Sequence, residues 1–431
     1  MKVIGLDLGT TTVSAVVIEN GTVLTALTLK NDSFIDTGKS WEKLQDPACI
    51  RATALEAVDK LLREYPDVER IGITGQMHGI LYLNDEGCPI SPLYIWQDGR
   101  GDRPCGDGET YATCLSRVTG HAVATGYGLV THYYNLQNGL VPEGTKTFCT
   151  IHDYIAMLLA GVKTPVTDAS DAASLGVFDV EKGCFDVVAL EKAGIDCAVL
   201  PVLAGDNCIG YYRGSIAVYV PLGDNQASFL GATGGQKNAM LVNVGTGSQF
   251  SAYTPEHLHC EGLETRPFPG GGYLLVGASL CGGRAYALWE RFLRTAVQAV
   301  TGSMPESCYD AMDTMLRNGV QDDLPRVLPL FQGTRQDPSL RGSITGLSVE
   351  NFTPAHLTRA MLEGMAAELH EMYLRYRAVG GKDALLIGSG NGLRKNVHLQ
   401  NCFSRLFGQP LLLSQCQEEA ASGAALFAQF C

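Results

Sequence analysis

At 431 residues the chain is too long for one typical core and fits two or three domains. Its 32 basic and 45 acidic residues leave a net charge of −13, which excludes an extended basic footprint for nucleic acid or an anionic membrane. No apolar run approaches the roughly 18 residues that span a bilayer, and no signal-like apolar core opens the chain. The 14 scattered cysteines lack CxxC spacing, so a cytoplasmic protein with reduced thiols is expected.

Lys2 to Asp7, Val13 to Ile18 and Val23 to Leu29 read as three strands, the last two joined by the hairpin dipeptide Asn20-Gly21. A helix follows from the N-cap Asp46, with Pro47 in its first position, to Glu64. The apolar strand Arg70 to Thr74 delivers Gly75-Gln76-Met77-His78-Gly79 at its C-terminal end, where ligands collect in open α/β sheets. Leu93 to Trp96 brings in Gln97-Asp98-Gly99-Arg100, and the Gly-, Thr- and Tyr-rich stretch 102–144 reads as loops and short helices covering a site. Ile151 to Leu159 is a helix, and Ile216 to Leu222 a strand ending in Gly223-Asp224-Asn225. Gly231 to Gly235 resembles an interdomain hinge. Helices are predicted over Gly283 to Val297, Thr353 to Val379 and Glu418 to Phe430, and a strand over Leu385 to Ile387 enters Gly388-Ser389-Gly390-Asn391-Gly392.

One short pattern occurs twice. Val3 to Asp7 runs into Leu8-Gly9-Thr10-Thr11-Thr12, and Met240 to Val244 runs into Gly245-Thr246-Gly247-Ser248, each followed by a second apolar run. Glycine lets a backbone approach an anion, and Thr and Ser hydroxyls with main-chain N–H groups donate to phosphate oxygens. An acid at the strand end, Asp7, can hold a magnesium ion through water. Either copy alone is equally an ordinary tight hairpin. Two copies suggest a duplicated, two-lobed nucleotide machine.

In these residues the chain resembles the FGGY family of carbohydrate kinases. Asp7-Leu8-Gly9-Thr10-Thr11 is similar to the family's first phosphate loop, Asn243 to Ser248 to its second, and Gly388-Ser389-Gly390 to its adenosine motif. Gly333-Thr334-Arg335, Asp337-Pro338 and Arg341-Gly342 resemble its signature loop, here shortened. The resemblance implies an α/β fold of two actin-like ATPase (ribonuclease H-like) domains, with a duplicated core and an interdomain active-site cleft. Residues 1–231 would bind sugar and carry the first phosphate loop, and residues 232–431 would carry the second loop and adenosine. It implies ATP and Mg2+ as cofactors and a small-molecule sugar as partner, and it leaves room for a homodimer. Gln76-Met77-His78-Gly79 and Trp96 to Arg100 resemble the sugar segments of the ketose-specific branch. Ala124 to Gly128, Thr150 to Tyr154, Ser170 to Ser174, Leu222 to Ser228 and Ala278 to Gly283 resemble the sedoheptulokinases within it, with xylulokinases close.

The roles carried over are these. Asp224 would be the general base, although local sequence alone reads it as a turn or N-cap residue. Thr10, Thr11 and Thr12, with Gly245, Thr246 and Gly247, would clamp the phosphates. Gly283, Gly390, Asn391 and Arg394 would meet the nucleoside, Arg394 being equally readable as a solvated helix-surface charge. Gln76, Met77, His78, Trp96, Asp98, Arg100, Asp224 and Asn225 would face the sugar, with Trp96 or Met77 as the stacking surface. Arg100 can instead hold Asp98 through a bidentate ion pair. His152-Asp153-Tyr154 would be architectural, beneath the sugar pocket. Two readings from other classes compete: an actin- or Hsp70-like nucleotide switch, which lacks the Gln76 and Trp96 segments, and a silent sugar sensor, which would not need Asp224.

Overall fold

The computed structural model describes residues 1–106, 108–320, 322–334, 337 and 339–431; Arg335 and Pro338 of the signature loop lie outside the described residues. The elements that position the site are, in chain order, β1 Lys2–Leu8, β2 Thr12–Glu19, β3 Thr22–Lys30, α1 Pro47–Glu64, β4 Val68–Gly75, α2 Gly128–Gln137 and α3 Ile151–Ala160. They continue with β5 Cys208–Tyr212, β6 Ile216–Tyr219, β7 Leu222–Gly223, α4 Asp224–Thr233, β8 Ala239–Val244, β9 Ser248–Thr254 and β10 Tyr273–Ser279. Then come α5 Gly283–Thr301, α6 Pro354–Ala378, β11 Leu385–Ser389, α7 Val397–Phe407, β12 Leu412–Leu413 and α8 Glu419–Phe430. Asp46 caps α1 as its sequence predicts, its carboxylate accepting from Ala48 N at 2.8 Å. The strand predicted over Ile216 to Leu222 is split into β6 and β7 at Pro221, which has no N–H to give to a ladder.

Two compact units result, one of Met1–Lys237, Arg266–Gly272 and Cys416–Cys431, the other of Asn238–Thr265 and Tyr273–Gln415. In the first, strands run β5-β6-β4-β1-β2-β3, with β7 also pairing β4. In the second, neighbouring strands run β12-β11-β8-β9-β10. The central strand of each (β1, β8) pairs antiparallel with the next strand and parallel with a later one (β4, β11), so one pattern is built twice. No helix among the described residues is long and apolar enough to cross a membrane.

Alternation along β1 sorts its side chains. Ile4, Leu6 and Leu8 enter a core shared with Ile50, Ala54 and Leu61 of α1 and Ile151 and Ile155 of α3. Each such aliphatic side chain contributes about 1.5–3 kcal/mol by leaving water. The opposite face carries Gly5, and here α8 docks: a Cβ on Gly5 or Gly72 would overlap the Ala421 or Ala424 carbonyl. The tail assigned to 232–431 by sequence therefore packs within the first unit, its alanines permitting the close approach. Gly231 is likewise no hinge residue. It lies inside α4, where a Cβ would overlap the Glu419 carbonyl of α8, while Gly234 caps α4 in the left-handed conformation. In the second unit Met240, Val242 and Val244 of β8 pack with Phe250, with Met361, Met365 and Leu369 of α6, and with Phe403 of α7.

Candidate active site

Three strand ends of the first unit meet. Leu8 and Gly223 both pair with Gly75, so Asp7, the Gln76–Gly79 turn and Asp224 leave the sheet at the same level. Asp224 is the first helical residue after Gly223, and no side chain caps α4, so its local reading as an N-cap does not hold. A carboxylate there is favoured by the helix dipole. Asn225 Nδ2 donates to Asp224 Oδ1 at 2.7 Å and approaches Met77 Sδ at 3.5 Å, which joins three of the expected sugar residues. His78 is held with φ +75°, its Nδ1–H donating to the Ser174 carbonyl at 2.6 Å and its ring stacked on Tyr127 at 4.5 Å and 4°. A left-handed non-glycine residue stores strain that surrounding contacts must hold.

Asp98 and Gln76, both expected among the sugar contacts, are buried and held by protein partners. Asp98 is fully buried: Oδ1 accepts from Arg100 N and Nε at 3.1 and 2.6 Å, and Oδ2 from Lys43 N and the second Arg100 nitrogen at 2.9 and 3.3 Å. Arg100, also buried, lies 4.1 Å over the Tyr94 ring and donates to Asn135. The bidentate alternative is the one observed, and the pair ties the segment together. Gln76 is buried with both ends of its amide engaged, by Thr10 Oγ1 at 3.2 Å and Gln45 Oε1 at 2.8 Å. Trp96 is 46 % exposed and donates its indole N–H to Thr10 Oγ1 at 3.1 Å. Thr11 and Thr12 are exposed on the hairpin.

Electrostatics single out the carboxylates. Burial and the negative charge of Asp224 push Asp7 up to about 7. Burial also raises Asp224, against the opposing charges of Arg266 and His152. His152 is fully buried, and its Nε2 lies 2.8 Å from Asp171 Oδ2; burial works against its charge, yet Asp171, Asp153 and Asp224 outweigh burial and lift it to about 9. A Cβ on Gly75 would sit 3.2 Å from His152 Nδ1, so this imidazole lies beneath the strand ends. The resulting pH dependence has a definite sign. A raised Asp7 contributes stability that is complete below its ordinary value of 3.8 and lost as pH rises through about 7. Asp7→Asn is therefore expected to raise the unfolding midpoint of the first unit at pH 8 and to change it little at pH 4, as followed by thermal denaturation. An equal effect at both pH values would contradict the raised carboxyl.

The second unit carries a cavity of about 1210 Å³. Gly245, Thr246, Gly283, Gly390, Asn391 and Arg394 all line it; Gly247 does not, and a Cβ there would meet the Ser279 carbonyl oxygen at 2.8 Å. Gly283 N and Arg284 N donate to the Gly245 and Thr246 carbonyls at 2.9 and 3.1 Å, which pins the second hairpin to the start of α5. Gly390 adopts φ +85° against the Val244 carbonyl, where a Cβ would meet the oxygen at 2.5 Å. Arg394 donates to the Ser414 carbonyl at 2.8 Å, so it is a half-buried wall residue rather than a solvated surface charge.

Several residues of these sites carry no signal in the local sequence. Arg266 enters the first unit from a short excursion of the chain and faces Asp224 by charge. Gln45 is a buried amide in a two-residue strand. Tyr309, Asp310 and Asp313 reach the cavity from a helix whose amphipathic pattern explains it without a ligand. Tyr127 lies in a run with a recognisable family likeness, though its stacking on His78 could not be read from it.

One strand-hairpin core is built twice, and two carboxylates, Asp7 and Asp224, stand at strand ends of the first unit. Residues 2–241 match the N-terminal domain, and 240–430 the C-terminal domain, of the FGGY family of carbohydrate kinases. The chain belongs to that family and is a carbohydrate kinase. It is similar to the sedoheptulokinase of Mus musculus, 29% identical over 98% of this chain and 96% of that protein, and to that of Homo sapiens, 27% identical over the same shares. The fold matches the crystal structure of a xyloylose kinase from Brucella ovis with a TM-score of 0.84, at 22% identity over 100% of this chain and 90% of that one.

Proposed function

We propose that the chain transfers the γ-phosphoryl group of ATP to a ketose, converting sedoheptulose to sedoheptulose 7-phosphate. The observation that carries this reading is Asp224, a carboxylate raised by burial on the first turn of α4, beside Asn225 and Met77. Asp224 accepts the proton of the sugar hydroxyl as its oxygen bonds to the γ-phosphorus. The bond from that phosphorus to the β,γ-bridging oxygen breaks, and ADP leaves. A raised pKa makes Asp224 a stronger base than an ordinary aspartate once it is ionised. His78, Met77, Asn225 and Trp96 would hold the sugar. Thr11, Thr12 and the turn at Gly245 and Thr246 would hold phosphates, and the cavity edge at Gly283, Gly390, Asn391 and Arg394 the nucleoside.

Magnesium would be held by Asp7 through water and supplies charge neutralisation on the transferring phosphoryl group. The donor set fits: Asp7 and Asp224 are hard oxygen donors raised chiefly by burial, Asp7 further by the charge of Asp224, and a divalent cation would relieve both. Sedoheptulose is preferred because the mouse and human sedoheptulokinases are 29% and 27% identical to the chain, against 24% for the xylulose kinases of Lactococcus lactis and Bacillus subtilis over a similar span.

ADP release against sedoheptulose, xylulose, further ketoses, glycerol and no sugar tests the reading. The expected kcat/KM is highest with sedoheptulose, by about tenfold or more over xylulose, since two additional hydroxylated carbons gain or forfeit hydrogen bonds. Preference for xylulose would change the sugar. ADP release indifferent to sugar would remove the kinase reaction.

A further inference from the structure

We propose that Trp96 is a positioning residue for the nucleotide side of the reaction, acting through its indole N–H on the first hairpin turn. This rests on the reading of that hairpin as a phosphate clamp. The turn closes on itself through a ring of hydrogen bonds. Gln45 Nε2 donates to the Thr10 carbonyl at 2.7 Å, Gln76 Nε2 donates to Gln45 Oε1 at 2.8 Å, and the Thr10 hydroxyl donates to Gln76 Oε1 at 3.2 Å. Chemistry fixes the sense of the ring. A carbonyl oxygen only accepts, so Gln45 presents its NH2 group to Thr10, and the orientation of each following group is set in turn. Asn31 Nδ2 adds donors to the Gly9 and Thr10 carbonyls at 2.9 and 3.3 Å.

Trp96 enters this ring from outside. An indole N–H only donates, so the Thr10 hydroxyl, whose proton is given to Gln76, accepts from Trp96 Nε1 at 3.1 Å. Thr10 then has no proton left for a phosphate oxygen, and the exposed hydroxyls of Thr11 and Thr12 are the side-chain donors of this turn. The Trp96 backbone is itself fixed: its carbonyl lies where a Cβ of Gly126 would be, and the next residues are anchored by the buried Asp98–Arg100 pair. Gln45 and Gln76 are buried, so the bond between them is shielded from water and stiffens the half-buried Thr10 that Trp96 meets from the exposed side. One hydrogen bond thus connects a segment on the sugar side to the orientation of Thr11 and Thr12. Whatever one ligand does to that bond, the other feels by the same factor.

The test is a double-mutant cycle on the full chain, read as affinity for the magnesium complex of a non-hydrolysable ATP analogue, by calorimetry without sugar. Trp96→Phe keeps the aromatic ring and removes the N–H; Thr10→Val keeps the shape and removes the hydroxyl. Trp96→Phe is expected to weaken binding about 3–10-fold, the worth of one hydrogen bond. In the Thr10→Val background the same change is expected to cost nothing, because the bond is already absent. Unfolding midpoints of each variant separate a lost fold from a lost contact, a distinction a merely structural role would fail. Trp96→Phe that binds as the wild type does, or that costs the same in both backgrounds, overturns the proposal. Wild-type protein that does not bind the analogue defeats the kinase reading as well, so the two failures are distinguishable.

Discussion

Asp224→Asn is expected to lower kcat for sugar phosphorylation by about 10²–10⁴-fold, the usual contribution of a positioned base, while nucleotide affinity stays within about threefold. The substitution keeps the side-chain shape on the first turn of α4 and the neighbourhood of Asn225, Met77 and Arg266. What it removes is a basic oxygen and one negative charge. Without that charge Asp7 loses a group that raises it, and its carboxyl moves down from about 7 toward the ordinary aspartate range. The residual rate should therefore lose the acid limb set by Asp224. Steady-state kinetics over a pH series, with analogue binding alongside, reads both effects. A variant of unchanged kcat would take Asp224 out of the mechanism, and with it the argument against a silent sensor.

Asp98→Ala is expected to destabilise the first unit by about 3–5 kcal/mol, because it strands a buried guanidinium. Arg100 is 2 % exposed and makes its ion pair at 2.6 Å; its other contacts include Asn135, the Tyr94 and Tyr134 rings and the weaker ion pair with Glu42 at 3.5 Å. Removing both charges in Asp98→Ala/Arg100→Met is expected to cost less than removing Asp98 alone. Denaturant unfolding followed by tryptophan fluorescence measures this, since Trp41 sits beside the segment, its carbonyl accepting from Gly99 N at 2.7 Å. A sugar contact would behave oppositely, raising the sugar KM with little loss of stability.

The hairpins, the first helix and the second-unit turn were legible because their signals are local. Asn20-Gly21 fixes a tight turn, Asp46-Pro47 starts a helix, and a strand delivering Gly388 to Gly392 needs no distant partner to be recognised. What failed to show was partnership across the chain. Gly231 reads as a hinge because glycine clusters usually bend, yet here it exists to let α8 touch α4, and nothing near it in sequence names Glu419. Gln76 and Asp98 read as ligand-facing because polar side chains on strand-end loops usually are. The Gln76 amide is taken by Gln45 and Thr10, and one Asp98 oxygen by the Lys43 backbone, residues far enough away in sequence that no spacing rule connects them, whereas the Arg100 pair on Asp98, two residues along, was legible. Arg266 illustrates the same limit in reverse. It acts on Asp224 from an isolated excursion of chain, and only the folded arrangement reveals it.

The central claim, that this chain phosphorylates a ketose with Asp224 as base, is tested most directly by the product formed from sedoheptulose and ATP. Proton-coupled phosphorus NMR of the reaction mixture should show one new phosphomonoester coupled to the C7 protons, formed by the wild type and nearly absent with Asp224→Asn. Orthophosphate without a sugar ester, or the same ester formed at equal rate by Asp224→Asn, would contradict it.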